Sequence, residues 1–298
     1  MIHPIQSLPE VQRLERLATR STTPCGPDGS MVWRRWAKDP AEGSGALRSN
    51  GPPGSNGPPV VLLHGGSGAW NHWIKNIEVL AQSHTVWAPD LPGCGESALP
   101  PGATDADSIF ETVAAGIAEC AKGTPVDLIG FSFGSMVAGF VAAYHPHLVR
   151  RLVLIAPPAL GLRAAPLGLK SLGIPMTPEQ QEQAIRHNLQ RMMLHDPAAV
   201  DDLAVALHAD NVAHDRLRKR RISRGVIMTR LQTRWRCPVH VICGREDPLA
   251  KEELQRLPEV LNQCDLREVL LVDHTGHWVQ YEQPALFQEA AARILGQS

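Results

Sequence analysis

Several things are missing from this 298-residue sequence. No apolar run approaches the length of about 18 residues needed to cross a bilayer, and Met1 to Arg20 lacks the basic start and apolar core of an export signal. Neither sign of charge is in excess: 29 Lys and Arg stand against 30 Asp and Glu, a net charge of −1. That balance excludes a general attraction to nucleic acid or anionic membrane and leaves any preference for a charged ligand to local groups. The six cysteines, at 25, 94, 120, 237, 243 and 264, form neither a CxxC pair nor a regular framework, and read as scattered reduced thiols. No His/Cys cluster has metal-ligand spacing, no glycine-rich phosphate loop follows a strand, and no internal repeat is visible. These absences lead us to expect a soluble, cytoplasmic protein with no cofactor and no metal, whose partner is a small molecule rather than nucleic acid or a membrane. A homo-oligomer is not excluded. The length suffices for a sizeable α/β core without disulfides.

What is present is a regular alternation. Residues 7–20 place Val11, Leu14 and Leu17 three apart behind a Ser-Leu-Pro-Glu start, which predicts a short amphipathic helix. Residues 31–37 alternate as a strand. The stretch 39–59 is rich in Gly, Pro, Ser and Asn and reads as a long flexible loop between two strands, since too little chain precedes it to build a separate core. From residue 60 onward, strand-length apolar runs at 60–63, 85–88, 126–129 and 152–155 alternate with helical spacing at 70–82, 107–121 and 135–144. Such alternation implies a mostly parallel sheet covered by helices on both faces, with ligands beyond the carboxyl ends of the strands. Residues 161–233 carry helical spacing without a strand, notably at 178–193 and 198–208, and read as a helical cap over the sheet's active edge. Strands at 239–243 and 266–272 and an amphipathic helix at 284–295 close the chain. The expected plan is a core in two parts, 1–160 and 234–298, with the cap at 161–233 between them.

The chemistry centres on Gly130-Phe131-Ser132-Phe133-Gly134, a sharp turn between the strand at 126–129 and the following helix. Glycines two residues to either side let the neighbouring chain pass, so that the serine is presented at the mouth of the sheet. A serine hydroxyl is a poor nucleophile near neutral pH and needs a histidine base, which needs an acid to hold its tautomer. Asp247 lies in Gly-Arg-Glu-Asp-Pro just past a strand end, and His277 lies in Gly-His-Trp between the last strand and the final helix. The order serine, aspartate, histidine is the one expected for a sheet of this kind. His274 competes with His277, and Glu246 and Asp90 compete with Asp247; Glu246 reads as a solvated loop charge and Asp90 as a turn residue. The other strand end open to an acid, after Ile155, holds Ala156-Pro157-Pro158 and no carboxylate.

With those motifs in view, the chain resembles an α/β-hydrolase from about residue 58 to the C-terminus. The resemblance implies the α/β-hydrolase fold, a mostly parallel central sheet with helices on both faces and a helical cap insertion. His64-Gly65-Gly66 is similar to the family's oxyanion loop, which implies backbone donors at Gly66 and Phe133. His64 itself either polarises that loop or only hydrogen-bonds within it. Gly-His-Trp near the end, His-Gly-Gly early and a helical cap also resemble the hydrolases that cleave a carbon–carbon bond in ring-opened aromatic products. Those enzymes carry Gly-Asn-Ser-Met-Gly at the nucleophile, where this chain has Phe131 and Phe133. Their cap arginine, which binds the substrate carboxylate, has candidates here in Arg216, Arg218, Arg220 and Arg221. Phe131 and Trp278 are further candidates for substrate contact, and Trp70 and Trp73 read first as core.

The reading is therefore a serine hydrolase with a Ser132, His277 and Asp247 triad acting on a small carbonyl substrate. That substrate is either an ester or the carbon–carbon bond of a ring-fission dienoate. A ligand-binding module on a hydrolase scaffold is the alternative.

Overall fold

Val60, Val61, Leu62 and Leu63 follow one another and are all fully buried. Because successive strand residues point to opposite faces, Val61 and Leu63 enter one core with Trp33 and Met136, while Val60 and Leu62 enter another with Trp36 and Ile77. A strand covered on both sides reads as a continuous apolar run. The computed structural model describes residues 2–38, 47–48, 57–162, 166–172, 175–217 and 220–296.

The strands are β1 (Thr19–Pro24), β2 (Ser30–Lys38), β3 (Leu47–Arg48), β4 (Gly57–Leu63), β5 (His84–Pro89), β6 (Val126–Phe131), β7 (Val149–Ile155), β8 (Val239–Gly244) and β9 (Leu266–Val272). Among the described residues they form a single sheet of order β1-β2-β5-β4-β6-β7-β8-β9, with β3 paired to β2. From β5 across to β9 every neighbouring pair is parallel; β2 joins β5 antiparallel, and β1 joins β2 likewise. The helices are α1 (Pro9–Leu17), α2 (Ile77–Ala81), α3 (Phe110–Cys120), α4 (Phe133–Tyr144), α5 (Pro178–Asn188), α6 (Asp202–Ala213), α7 (Ile227–Leu231), α8 (Leu257–Val260), α9 (Val279–Glu282) and α10 (Pro284–Leu295). Helix α4 is buried from Phe133 to Ala143, as expected of a helix that is apolar all round. No helix among the described residues is long and apolar enough to cross a membrane.

Three elements differ from expectation. Strand β1 was not anticipated: Thr-Arg-Ser-Thr-Thr-Pro buries only Thr23, so an edge strand of this kind leaves no alternation to read. The expected helix over 70–82 is a 3₁₀ turn, Trp70–Trp73, followed by α2. Its first turn is held by tertiary contacts instead, with the Trp70 N–H on Asp90 Oδ1 at 2.9 Å and Trp73 beside Phe287. The expected helix over 178–193 ends in a π turn, Leu189–Met193, where the Leu194 N–H reaches back to the Leu189 carbonyl. The stretch 39–59 lies largely outside the described residues; β4 begins at Gly57 rather than at residue 60.

The described residues between β7 and β8 contain no strand. They meet the core partly through a buried pair of amides: Asn71 Nδ2 donates to Asn211 Oδ1 at 3.1 Å, and Asn211 Nδ2 returns the bond to Asn71 Oδ1 at 2.8 Å. On the opposite edge, Arg34 is fully buried among Glu15, Asp90 and Glu96, tying α1 and β2 to the turn after β5.

Candidate active site

Strand β6 ends directly in the turn that carries Ser132, whose φ of 49° and ψ of −115° lie outside the usual regions for a residue with a side chain. Backbone held there costs about 1–3 kcal/mol and persists only where the surroundings over-determine it. Those surroundings are present. The Ser132 N–H donates to the Ile155 carbonyl at 2.8 Å, and the Ser135 hydroxyl lies 2.6 Å from the Gly130 carbonyl. A Cβ on Gly130 would stand 2.4 Å from the Gly134 carbonyl oxygen, and one on Gly134 would stand 2.4 Å from that of Leu63. Both flanking glycines therefore make room for backbone.

Asp247 and His277 occupy the loops after β8 and β9. Asp247 Oδ2 accepts from His277 Nδ1 at 2.7 Å, and the two residues are 2% and 3% exposed. Because Nδ1 carries the proton toward the carboxylate, Nε2 is left as the acceptor. The Leu249 N–H holds Asp247 Oδ1 at 2.9 Å. The rival residues are elsewhere: His274 is exposed, Glu246 lies 3.8 Å from Lys251, and Asp90 is occupied by Arg34 and by the N–H groups of Trp70 and Glu96.

On the other side of Ser132 lies the loop after β4. His64 brackets it, with Nδ1 on the Gly65 carbonyl and Nε2 accepting from the Leu91 N–H, both at 2.8 Å. With both ring nitrogens engaged inside a buried loop, and burial lowering its pKa, His64 is a neutral bracket. Phe133 is the first residue of α4, and the first N–H groups of a helix have no acceptor within it. Ser132, Phe133, Gly66, Asp247 and His277 line one cavity of about 750 Å³.

A model of the alpha/beta hydrolase family matches residues 60–290. The chain belongs to the alpha/beta hydrolase family. It is 40% identical over 100 residues to a pyrrolizixenacetamide deacetylase of Xenorhabdus hominickii, covering 33% of this chain and 37% of that one. It is 36% identical over 112 residues to a 2-hydroxymuconate semialdehyde hydrolase of Pseudomonas sp. strain CF600, covering 37% of this chain and 40% of that one. The alignments thus span well under half the length of these curated relatives. The fold is similar to that of the esterase RhEst1 from Rhodococcus sp. ECU1013, with a TM-score of 0.70 at 19% identity over 94% of this chain and 99% of that one.

The rest of this alpha/beta hydrolase's cavity is mostly apolar. Leu160, Met193, Leu249, Leu254 and Leu257 wall it, and Phe131 also lines it, with its ring 5.1 Å from that of His277. Cys243 also lines it, but burial pushes its thiol far up, which keeps it a poor nucleophile. Two arginines reach the cavity, Arg220 and Arg224. Arg220 is neutralised by buried Asp215 and bonds the Ser67 hydroxyl at 3.0 Å. Arg224 is exposed, and its guanidinium has no partner among the described residues.

Two expected contacts are corrected. Arg216 does not line the cavity; its guanidinium donates to the carbonyls of Gly95 and Ser97 on the turn after β5. Trp278 is fully buried behind the histidine, its indole N–H on the His72 carbonyl at 3.0 Å and its ring stacked 4.2 Å from Tyr281. Consecutive residues of a tight turn point in different directions, so lining by His277 takes Trp278 away from the cavity. Arg218 lies outside the described residues, and the exposed Arg221 caps nothing in the site; its backbone N–H bonds Asp105. Trp70 and Trp73 pack in the core. Arg224 was not among the arginines named as candidates, and nothing in the local sequence marks Met193 or Leu254 as cavity residues.

Proposed function

We propose that this chain is a serine hydrolase of small carbonyl compounds. His277 Nε2 takes the Ser132 hydroxyl proton as Oγ attacks the substrate carbonyl, forming a carbon–oxygen bond and a tetrahedral oxyanion. The N–H groups of Gly66 and Phe133 receive that charge, a contribution of about 3 kcal/mol per donor. The imidazolium, stabilised by Asp247, returns the proton to the leaving group as its bond breaks, and water repeats the sequence to release the acid and restore Ser132. Residues 161–233 act as the cap, supplying Met193, Arg220 and Arg224 to the cavity.

The observation that carries this reading is the buried Asp247–His277 pair opening into the same cavity as the strained Ser132 turn. Replacing Ser132 by Ala should lower kcat by about three or more orders of magnitude while the protein stays folded. Labelling of the wild-type protein at Ser132 by a fluorophosphonate separates an enzyme from a pure binding module. A folded protein that remains unlabelled and turns over neither substrate class would remove the proposal.

The apolar walls suit a short acyl ester, which we take as the first reading. Arg224, without a partner among the described residues, favours a substrate with a carboxylate, and the hydrolase of 2-hydroxymuconate semialdehyde among the relatives points the same way. Short acyl nitrophenyl esters and ring-fission dienoates assayed on one preparation discriminate the two through the ratio of kcat/KM values.

A further inference from the structure

The loop that carries His277 is held from three directions. Toward the core, the Glu246 N–H donates to the Thr275 carbonyl at 2.9 Å, tying it to the aspartate loop. Toward the inserted helices, the Trp278 N–H donates to the Met193 carbonyl at 2.8 Å, at the end of the π turn. The third tie is a side chain. Glu282 Oε2 accepts from the Gly276 N–H at 2.7 Å, while Oε1 accepts from the N–H groups of His195 and Asp196 at 2.8 and 2.6 Å. One carboxylate therefore grips the residue before His277 and the chain just after the π turn, whose Met192 and Met193 line the cavity. The approach is close: a Cβ on Gly276 would stand 2.8 Å from the His195 nitrogen.

We propose that Glu282 is a positioning residue that couples the cap to the histidine, so that the cap's seating sets where His277 Nε2 points. This rests on the serine-hydrolase reading above. The physical reason is that the Gly276 backbone fixes the direction of the His277 Cα–Cβ bond, and a misplacement of about 1 Å at a proton-transfer group costs about 10²-fold in rate. A carboxylate accepts on both oxygens, as the three N–H donors require; an amide offers one accepting oxygen and turns an NH₂ toward the other donors. Substrate contacts the cavity walls rather than Glu282, so loss of the clamp falls on turnover more than on binding.

The test compares wild type, Glu282→Gln and Glu282→Ala by steady-state kinetics on a nitrophenyl ester and by the rate of fluorophosphonate labelling. We expect kcat and the labelling rate to fall about 10-fold in Glu282→Gln and about 100-fold in Glu282→Ala, with KM within about twofold. Wild type that labels at Ser132 beside a folded Glu282→Ala that labels and turns over equally fast would overturn this inference alone. A wild type that never labels would remove the serine reading and this inference with it. Should Glu282→Ala fail to fold, amide hydrogen exchange on the wild type decides. Equal protection of Gly276, His195 and Asp196 supports the clamp, and free exchange at His195 and Asp196 beside a protected Gly276 overturns it.

Discussion

A Cβ on Gly244 would stand 2.0 Å from the carbonyl oxygen of Gly276. The end of β8 and the turn before His277 thus touch backbone to backbone, and this contact brings Asp247 and His277, thirty residues apart, to 2.7 Å. Gly244→Ala should push the histidine turn away, costing about 1–3 kcal/mol of stability as overpacking does and at least ~10-fold in kcat if the pair separates. Thermal denaturation and steady-state kinetics on one preparation check this; an unchanged melting temperature with full activity would contradict it.

Asp247→Asn keeps the size of the side chain but presents either an amide N–H or a neutral oxygen to His277 Nδ1. With its tautomer no longer held and its cation no longer stabilised, the imidazole should lose about 10⁴ in kcat. Circular dichroism should be unchanged and KM should move little. A mutant with more than a tenth of wild-type turnover would show that the acid lies elsewhere.

His208 on α6 is buried, and desolvation lowers its pKa from 6.5 to about 4. His72 is lowered by burial too, and a charge on His208 would lower it further. Above pH 6.5 both the folded and unfolded states hold His208 neutral, so its titration leaves stability unchanged there. Between pH 6.5 and 4 the unfolded chain takes up a proton that the folded chain refuses, and stability falls. For His208 alone the loss is about 2 kcal/mol by pH 5. Denaturant titrations at pH 8 and pH 5 should show it, and His208→Leu should flatten part of the slope. Equal slopes in both proteins would refute the assignment.

Arg34 neutralises buried Asp90, whose other bonds hold the Trp70 N–H and the turn after β5. Arg34→Ala leaves that carboxylate buried without its counter-charge, a change that costs about 3–5 kcal/mol. The midpoint of urea unfolding should drop accordingly. A shift below about 1 kcal/mol would mean that water reaches Asp90 once the guanidinium is gone.

Much of this was readable along the chain. Gly130 to Gly134 reveals its turn because glycine at both flanks and an apolar run before it are local features, and the same holds for Gly244 and for Gly276-His277. The polar edge strand β1 was not readable, since a strand paired on one side with few buried positions has no alternation. Trp278 misled for a related reason: adjacency to His277 says nothing about which way the next side chain points. The arginines between 216 and 224 look alike in sequence, and only their neighbours distinguish Arg216 on a carbonyl turn, Arg220 on Asp215 and Arg224, which has no partner among the described residues.

The sequence by itself determined the alternation of strands and helices and the order in which serine, aspartate and histidine follow three strand ends, because periodicity and turn chemistry act over a few residues. Tertiary structure alone decided which charges meet, which arginines open into the cavity and how Glu282 joins the histidine turn to the chain between β7 and β8. Those contacts join residues tens to hundreds of positions apart, and their geometry is set by packing around a shared core that no local pattern encodes.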